Sequence, residues 1–499
     1  MAERLVKSQF NFIGGSYTSR SPTFDCERLV NMYVETHDLG GGKNEMPAVL
    51  YSTPGLNPIQ NIGTGPIRAC YTMSNQQLSF IVSGNELYQL NAAGGVPVLI
   101  PGNFATSVGF VSICDNGDLL ALVDGANIYW VSVTGTTPTL TVVSDPNAYP
   151  GSRTVTFLDG YFIFDTPVNT LADYPTSSYY WSNNDLLMTA AGPITFPTDG
   201  NTGSAGTNPD PVLAVLTNSE QLYIFGSRTI EVWSDTGASA SAPFSTTGRS
   251  INVGIVAVGT LTKLADTMLF LGGNEQGAGV VYSMQNDNPT RVSTHAIENM
   301  LLGYGDLTNS TAYSYQSGGH YFYVLQPAGA NTTLVYDMTT QLWHERQSLV
   351  NGSMGRHLGQ YACFLNGTHI IGDYATGALY KYDNNYFMDG TNPLRRLRQT
   401  GHSAQGVANV FYKTLQVDIQ PGVGTLTINP RIVLCISDDG GMTWGNPIYS
   451  DMGYVGAYTT RARWQRLGYG RDLVFQVYCD DPVNVVFLAA YIEFEVGQA

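Results

Sequence analysis

Few residues have types and spacing that could do chemistry. The stretch Ser437-Asp438-Asp439-Gly440-Gly441-Met442-Thr443-Trp444 fits the Asp-box pattern S-x-D-x-G-x-T-W. A carboxylate between a serine and a glycine suits a tight turn. Asp439 is placed to accept backbone N–H groups, Gly441 to take positive φ, and Trp444 to pack under the hairpin. Ser437, Asp439, Gly441 and Trp444 therefore read as a structural turn rather than a catalytic group. Four arginines, Arg461, Arg463, Arg466 and Arg471, lie on or beside one expected strand. Alternation along a strand turns Arg461 and Arg463 to one face. They read as a solvated face or as candidate contacts to a neighbouring subunit. A DNA-phosphate contact is the sharper alternative, opposed by the nearby acids Asp472, Asp480 and Asp481.

Other enzyme signatures are missing. There is no GxSxG elbow, Walker A sequence, GxGxxG or HExxH. His344-Glu345 starts like a zinc-protease motif but lacks the second histidine, and beside Trp343 it reads as packed at a blade edge. The seven histidines are dispersed, and none pairs with a cysteine as a metal site would require. No acid pair has informative context for glycoside cleavage. No catalytic, cofactor or metal site is expected. The six cysteines show no CxxC and are expected mostly as free, buried thiols of a protein made in a reducing cytosol.

The elements that must position these residues are strands. An apolar strand, a short turn with Gly, Asn or Asp, and a strand with a central Tyr or Trp recur at 78–90, 119–131, 222–233, 268–284, 320–338 and 369–383. A weaker copy begins at 161. One hairpin cannot bury both its faces, and a period near 40–50 residues is the signature of a β-propeller, here of six or seven blades. The visible hairpin is expected to be the inner pair of each blade. Residues 192–211 read as a long loop, and 384–406 break the pattern with Arg395, Arg396 and Arg398. The segments after that read as a β-sandwich. The expected organisation is an N-terminal arm with a few strands over 1–65, an irregular propeller over 66–394, and a C-terminal sandwich over 395–499 involved in ring assembly. Helix signals are scarce.

Of 499 residues, 43% are apolar, enough for a sizeable core. Only 12% are charged, and the net charge is −16. That excludes a basic protein coating nucleic acid or drawn to anionic lipid. The longest apolar run, Val485–Ile492, is far short of a membrane span, and the N-terminal stretch shows no signal-peptide core. Residues 1–394 hold 30 acids and 14 bases, whereas 395–499 hold 9 of each. The whole excess lies in the arm and propeller.

Several stretches, in order, resemble the tail hub or nozzle proteins of short-tailed bacteriophages, also called packaged-DNA stabilization proteins, as in the Salmonella short-tailed phages. Leu29-Val30-Asn31-Met32-Tyr33 and then Ser52-Thr53-Pro54-Gly55-Leu56 resemble the family's VNM…PGI arrangement. Phe225–Trp233, followed by Thr236-Gly237-Ala238, is similar to its FGSxTIEYF strand. Val253–Ala257, Ala265–Phe270, Thr294–Glu298, Ser437–Asn446, Arg463–Gly468 and Tyr491–Glu495 keep the family's order. The long loop at 192–211 departs from it, as does Leu467-Gly468-Tyr469, where the relative is more basic.

The resemblance implies a structural virion protein, not an enzyme, with no cofactor. It implies a homohexameric ring below the portal and a head–tail adaptor, which Arg461, Arg463, Arg466 and Arg471 would also suit as contacts. The ring would conduct genomic double-stranded DNA as cargo, closed by a needle, plug or internal gate, with tailspikes or fibres docked on its side. Its place would be the virion tail, after synthesis in the bacterial host cytoplasm. Six copies would bring −96 to one ring, a wall along which DNA slides if part of it lines the lumen. The alternative from another class is a glycan-binding or glycan-cleaving, sialidase-like propeller, motivated by the Asp-box and the many Tyr and Trp. A cluster of arginines and acids at the propeller centre would distinguish it.

Overall fold

The computed structural model describes residues 6–36, 48–91, 96–134, 137–149, 151–165, 176–184, 193–198, 201–208, 210–237, 242–274, 277–404, 406 and 408–497. Residues 166–170 of the weaker hairpin copy, and Ala238, lie outside the described residues.

Among the described residues seven antiparallel blades form a ring. Blade one spans Ile67–Ile100, blade two Ser112–Val142, blade three Val155–Ser204, blade four Val212–Ile251, blade five Gly254–Arg291, blade six Thr311–Val350, and blade seven starts at Gly359. In each, the first strand lines the axial channel. The hairpins visible in the sequence are the second and third strands, not the innermost pair. The reason is burial: a middle strand such as Leu119–Val123 is covered on both faces and reads as an apolar run. A first strand such as Ser112–Asp115 keeps one face on the channel and reads weakly.

Alternation then divides each middle strand between two neighbours. Leu120 and Leu122 pack toward blade one, whereas Leu119, Ala121 and Val123 pack toward blade three. Among the described residues seven such apolar clusters occur, one between each pair of adjacent blades. Each fully buried side chain of this kind stabilises by about 1.5–3 kcal/mol.

Blade seven is completed from the far end of the chain. Its strands Gly359–Leu365, Thr368–Asp373 and Ala378–Asp383 are followed by Gly55–Asn61, paired antiparallel with Ala378–Asp383. Part of residues 1–65 therefore closes the propeller ring. Within 192–211, Thr202–Ser204 forms the outer strand of blade three, so this stretch is not loop throughout. The α-helix His295–Gly303 buries Ile297 and Leu301 between blades five and six; Thr294 caps it by accepting the Ile297 N–H at 3.3 Å.

The sandwich is joined to the propeller through a shared sheet. Leu342–Val350, the outer strand of blade six, meets Cys26–Val30 in a single parallel bridge. The sheet continues through Arg396–Gln399, Asp472–Cys479 and Arg431–Ser437 to the edge strand Ile448–Asp451. The facing sheet contains Val410–Ile419, Ala462–Gly470, Val486–Val496 and the N-terminal strands Val6–Phe10, Met32–Thr36 and Ala48–Ser52. Met32, Leu50, Trp464, Phe475 and Phe487 fill the space between the two.

Candidate functional site

The Asp-box turn joins Arg431–Ser437 to Ile448–Asp451. Asp439 Oδ1 accepts the Met442 and Thr443 N–H groups at 2.9 Å each, and its Oδ2 accepts the Thr443 hydroxyl at 2.5 Å. Ser437 Oγ donates to Asp439 at 2.7 Å and accepts the Gly441 N–H at 2.8 Å. The Thr443 hydroxyl, the Thr443 N–H and the Ser437 hydroxyl hold the Asp439 carboxyl well below the usual range. Gly441 sits at φ +87°, and a Cβ there would press on Gln399. Trp444 is half-buried. Every contact of Asp439 is thus to its own turn.

The four arginines do not form one cluster. They are spread along the edge strand Ala462–Gly470, which at about 3.3 Å per residue separates Arg461 from Arg471 by roughly 30 Å. Arg461 precedes the strand at one end of the sandwich, and Arg471 follows it at the other. Arg463 faces Glu493 at 3.6 Å. Arg466 sits at positive φ beside a register shift.

The propeller uses acids as internal turn ties that no contiguous motif announces. Asp165 accepts the Arg153 and Thr154 N–H groups at 2.8 and 2.6 Å, both nearby hydroxyls, and Arg153 Nε at 2.8 Å. Asp210 accepts the Ser227, Arg228 and Thr229 N–H groups at 3.0, 2.8 and 2.8 Å. Asp124 and Asp373 each hold two turn N–H groups and a tyrosine hydroxyl, from Tyr129 and Tyr380. All four acids are buried. The exposed acids Asp118, Asp159, Glu220 and Asp266 occupy the turns between first and second strands of blades two to five, and so share one rim.

The axial channel does not hold the acid excess. A cavity of about 550 Å³ is lined by the first strands of all seven blades, with Lys263 and His369 among mostly uncharged residues. The other mouth, about 460 Å³, carries Arg68, Asp124 and Arg153. Arg68 donates to the carbonyls of Gly84, Thr106, Val108 and Gly109. Arg153 binds Asp165 and the Val212 carbonyl. These charged groups brace the ring itself.

The joint between propeller and sandwich is densely hydrogen-bonded. Asn31, at φ +55°, donates to the Gln347 and Arg395 carbonyls at 2.7 and 2.8 Å and accepts the Gln347 N–H at 3.0 Å. Its N–H reaches the Glu345 carbonyl, and its own carbonyl accepts the Thr53 N–H. Arg28 grips Glu345 at 3.0 and 2.6 Å. Burial alone would raise the Glu345 carboxyl, but Arg28, Thr332 and Ser16 outweigh it and leave it lowered. Buried Arg398 donates to the Phe12 and Gly15 carbonyls and to Glu27; buried Arg396 reaches the Asp481 and Val483 carbonyls. Arg346 donates to the Pro54 carbonyl at 2.7 Å, and at Gly55 a Cβ would collide with the Tyr386 carbonyl. In the sequence, Asn31 and Pro54-Gly55 stand out as resemblance motifs, and Arg396 and Arg398 as a break in pattern. The signal that could have joined them is the concentration of arginine in so charge-poor a chain.

Among the described residues no group of three His, Cys, Asp or Glu could hold a metal ion, and the six cysteines are free. No helix is long and apolar enough to cross a membrane.

Fold and joint together define a mostly-β protein, a seven-bladed propeller whose sixth blade shares a sheet with a β-sandwich. The chain belongs to the bacteriophage P22 Gp10 family: the family's β-propeller model matches residues 8–386 and its β-sandwich model residues 395–495. It is a family of phage tail structural proteins implicated in DNA stabilisation. No curated relative matches the sequence. Among solved structures, the chain is similar to the computationally designed Ika8 protein (11% identity, TM-score 0.40, covering 66% of this chain and 99% of that one). It is also similar to a chain of the mitotic checkpoint complex (13%, 0.39, 70% and 98%) and to the WD40 propeller domain of Doa1 (11%, 0.37, 65% and 96%).

Proposed function

We propose that the protein is the tail hub, or nozzle, of a short-tailed phage. Copies form a ring, expected to be a homohexamer, below the head–tail adaptor. The ring continues the DNA channel, retains the packaged genome until ejection, and carries tailspikes or fibres together with a needle or plug. Its place is the virion. The match of both domains to one phage family, over almost the whole chain, carries this reading. Two structural features support it. The charged groups at the joint and channel mouth are bonded within the protein, as suits a mechanical part. The acidic rim of Asp118, Asp159, Glu220 and Asp266 has the sign that repels phosphate, so DNA passing such a surface would slide without sticking.

The test is complementation in vitro. Purified protein added to DNA-filled heads lacking the hub should convert them to particles that keep their genome, read by nuclease protection. Heads that leak equally with and without the protein would sink the reading.

A further inference from the structure

One end of the sandwich is formed by two loops, residues 420–430 and 452–460. They are zipped together. The Gly424 N–H donates to the Gly453 carbonyl at 3.2 Å, the Met452 N–H to the Pro430 carbonyl at 2.8 Å, and the Gly453 N–H to Asn429 Oδ1 at 3.0 Å. Neither loop contains a charged residue. Together they expose Leu426 (88%), Ile428, Tyr454, Val455 and Tyr458 (70%), and the adjoining edge strand exposes Ile448 and Tyr449. A contiguous exposed apolar patch of this kind marks a contact site.

Charge points to the occupant. Every copy of this chain carries −16, so copies repel wherever their acids face one another. Screening limits that repulsion to about 8 Å at physiological salt, so only the local charge at a contact counts. The propeller rim is acidic, whereas the sandwich is balanced and these loops are uncharged. Identical copies therefore meet at least cost here, with no charged loop side chain to desolvate. Tyrosines at the centre of such a patch are typical anchors. An anionic lipid surface fits less well, because the second loop is flanked by an exposed acid, Asp451, as well as by Arg461.

We propose that the paired loops 420–430 and 452–460 are the surface by which one copy grips the next. This rests on the reading as a self-assembling hub.

The test uses the full chain with Leu426→Asp and Tyr458→Asp, and with Met442→Asp as a control. Met442 is 66% exposed at the opposite end of the sandwich. Sedimentation across concentration reads self-association, electron microscopy reads rings, and binding to hub-deficient heads reads attachment. The expected result is that each loop variant weakens association about tenfold or more, with its melting temperature unchanged, while Met442→Asp behaves as wild type. Loop variants that associate like wild type would overturn the inference and leave the hub reading standing. Variants that form normal rings but no longer attach to heads would assign the loops to another virion protein, and also overturn it. Wild-type chain that stays monomeric both free and on heads would remove the hub reading and this inference together.

Discussion

In the sandwich, Asp439 holds its turn from the solvent side; in the propeller, Asp165, Asp210 and Asp373 hold theirs from inside the core. The chemistry is the same, a carboxylate accepting successive backbone N–H groups. The surroundings are opposite, and so are the consequences of losing the acid. At the surface, water replaces a lost acceptor. In the core nothing does, and the orphaned donors bear the desolvation cost. The difference also bears on net charge. The negative charge of the buried acids is met by N–H dipoles within about 3 Å. Acids that a partner can meet directly are exposed ones, such as those of the rim.

The strongest way to break this comparison is Asp165→Ala. It removes the acceptor of the Arg153 and Thr154 N–H groups, of two hydroxyls and of Arg153 Nε, and should lower stability by about 4 kcal/mol. Urea unfolding measures it, and Asp165→Asn, which keeps one acceptor, should recover part of the loss. A cost below about 1 kcal/mol would mean that water or a neighbour replaces the carboxylate. Next is Asn31→Ala at the joint, with an expected loss of about 3 kcal/mol as three bonds to the 347 and 395 backbones vanish. Limited proteolysis should then cut between 386 and 395 faster than in wild type. An unchanged digestion pattern would show that packing alone holds the two parts together.

The sequence made the ring legible because middle strands, buried on two faces, are apolar and periodic. It placed the hairpins one strand too far inward because channel-facing strands such as Ser112–Asp115 carry little apolar signal. Asp439 was legible because its donors lie within four residues of it. Asp210 was not, because its donors lie 17 to 19 residues away. The joint was hidden for the same reason on a larger scale: Arg28 and Glu345 are 317 residues apart. The nine-residue helix was missed because its apolar face is two turns long, although Thr294 is a readable cap.

pH separates the two regions in sign. In the propeller, burial first and the Arg346 charge second push His357 down to about 4 and His344 to about 3. The unfolded chain, with histidine near 6.5, then binds more protons than the folded one. Their contribution is full above about pH 6.5 and is lost as pH falls toward 4, by about 3 kcal/mol for His357 alone. In the sandwich, burial lowers His402, but the Pro22 carbonyl and Asp472 at 2.7 and 2.6 Å outweigh it and raise it. That contribution is present below about 6.5 and fades as pH rises through the folded value; for so accessible a pair it is about 0.5 kcal/mol. Denaturation midpoints between pH 5 and 8 should rise with pH in wild type. His357→Asn should flatten the slope, and His402→Gln should steepen it slightly. A slope indifferent to His357→Asn would assign the acid sensitivity elsewhere.

The smallest expected effect is the sharpest check on the surface half of the comparison. Asp439→Ala removes four hydrogen bonds, nearly as many as Asp165→Ala, so a bare count predicts similar damage. The difference lies in what remains. The Met442 and Thr443 N–H groups belong to exposed residues, and water can take the place of the carboxylate. Gly440 and Gly441 keep the positive φ that the turn needs, and the Gly445 N–H still bonds the Ile436 carbonyl at 2.9 Å. The melting temperature should therefore stay within roughly 2 °C of wild type. The damage should show locally, as faster amide exchange at Gly441–Thr443 with the strands on either side unchanged. A loss as large as that of Asp165→Ala would mean that Asp439 is covered in the assembled particle or acts beyond its own turn. Repeating the measurement on rings and on monomers would tell those two apart.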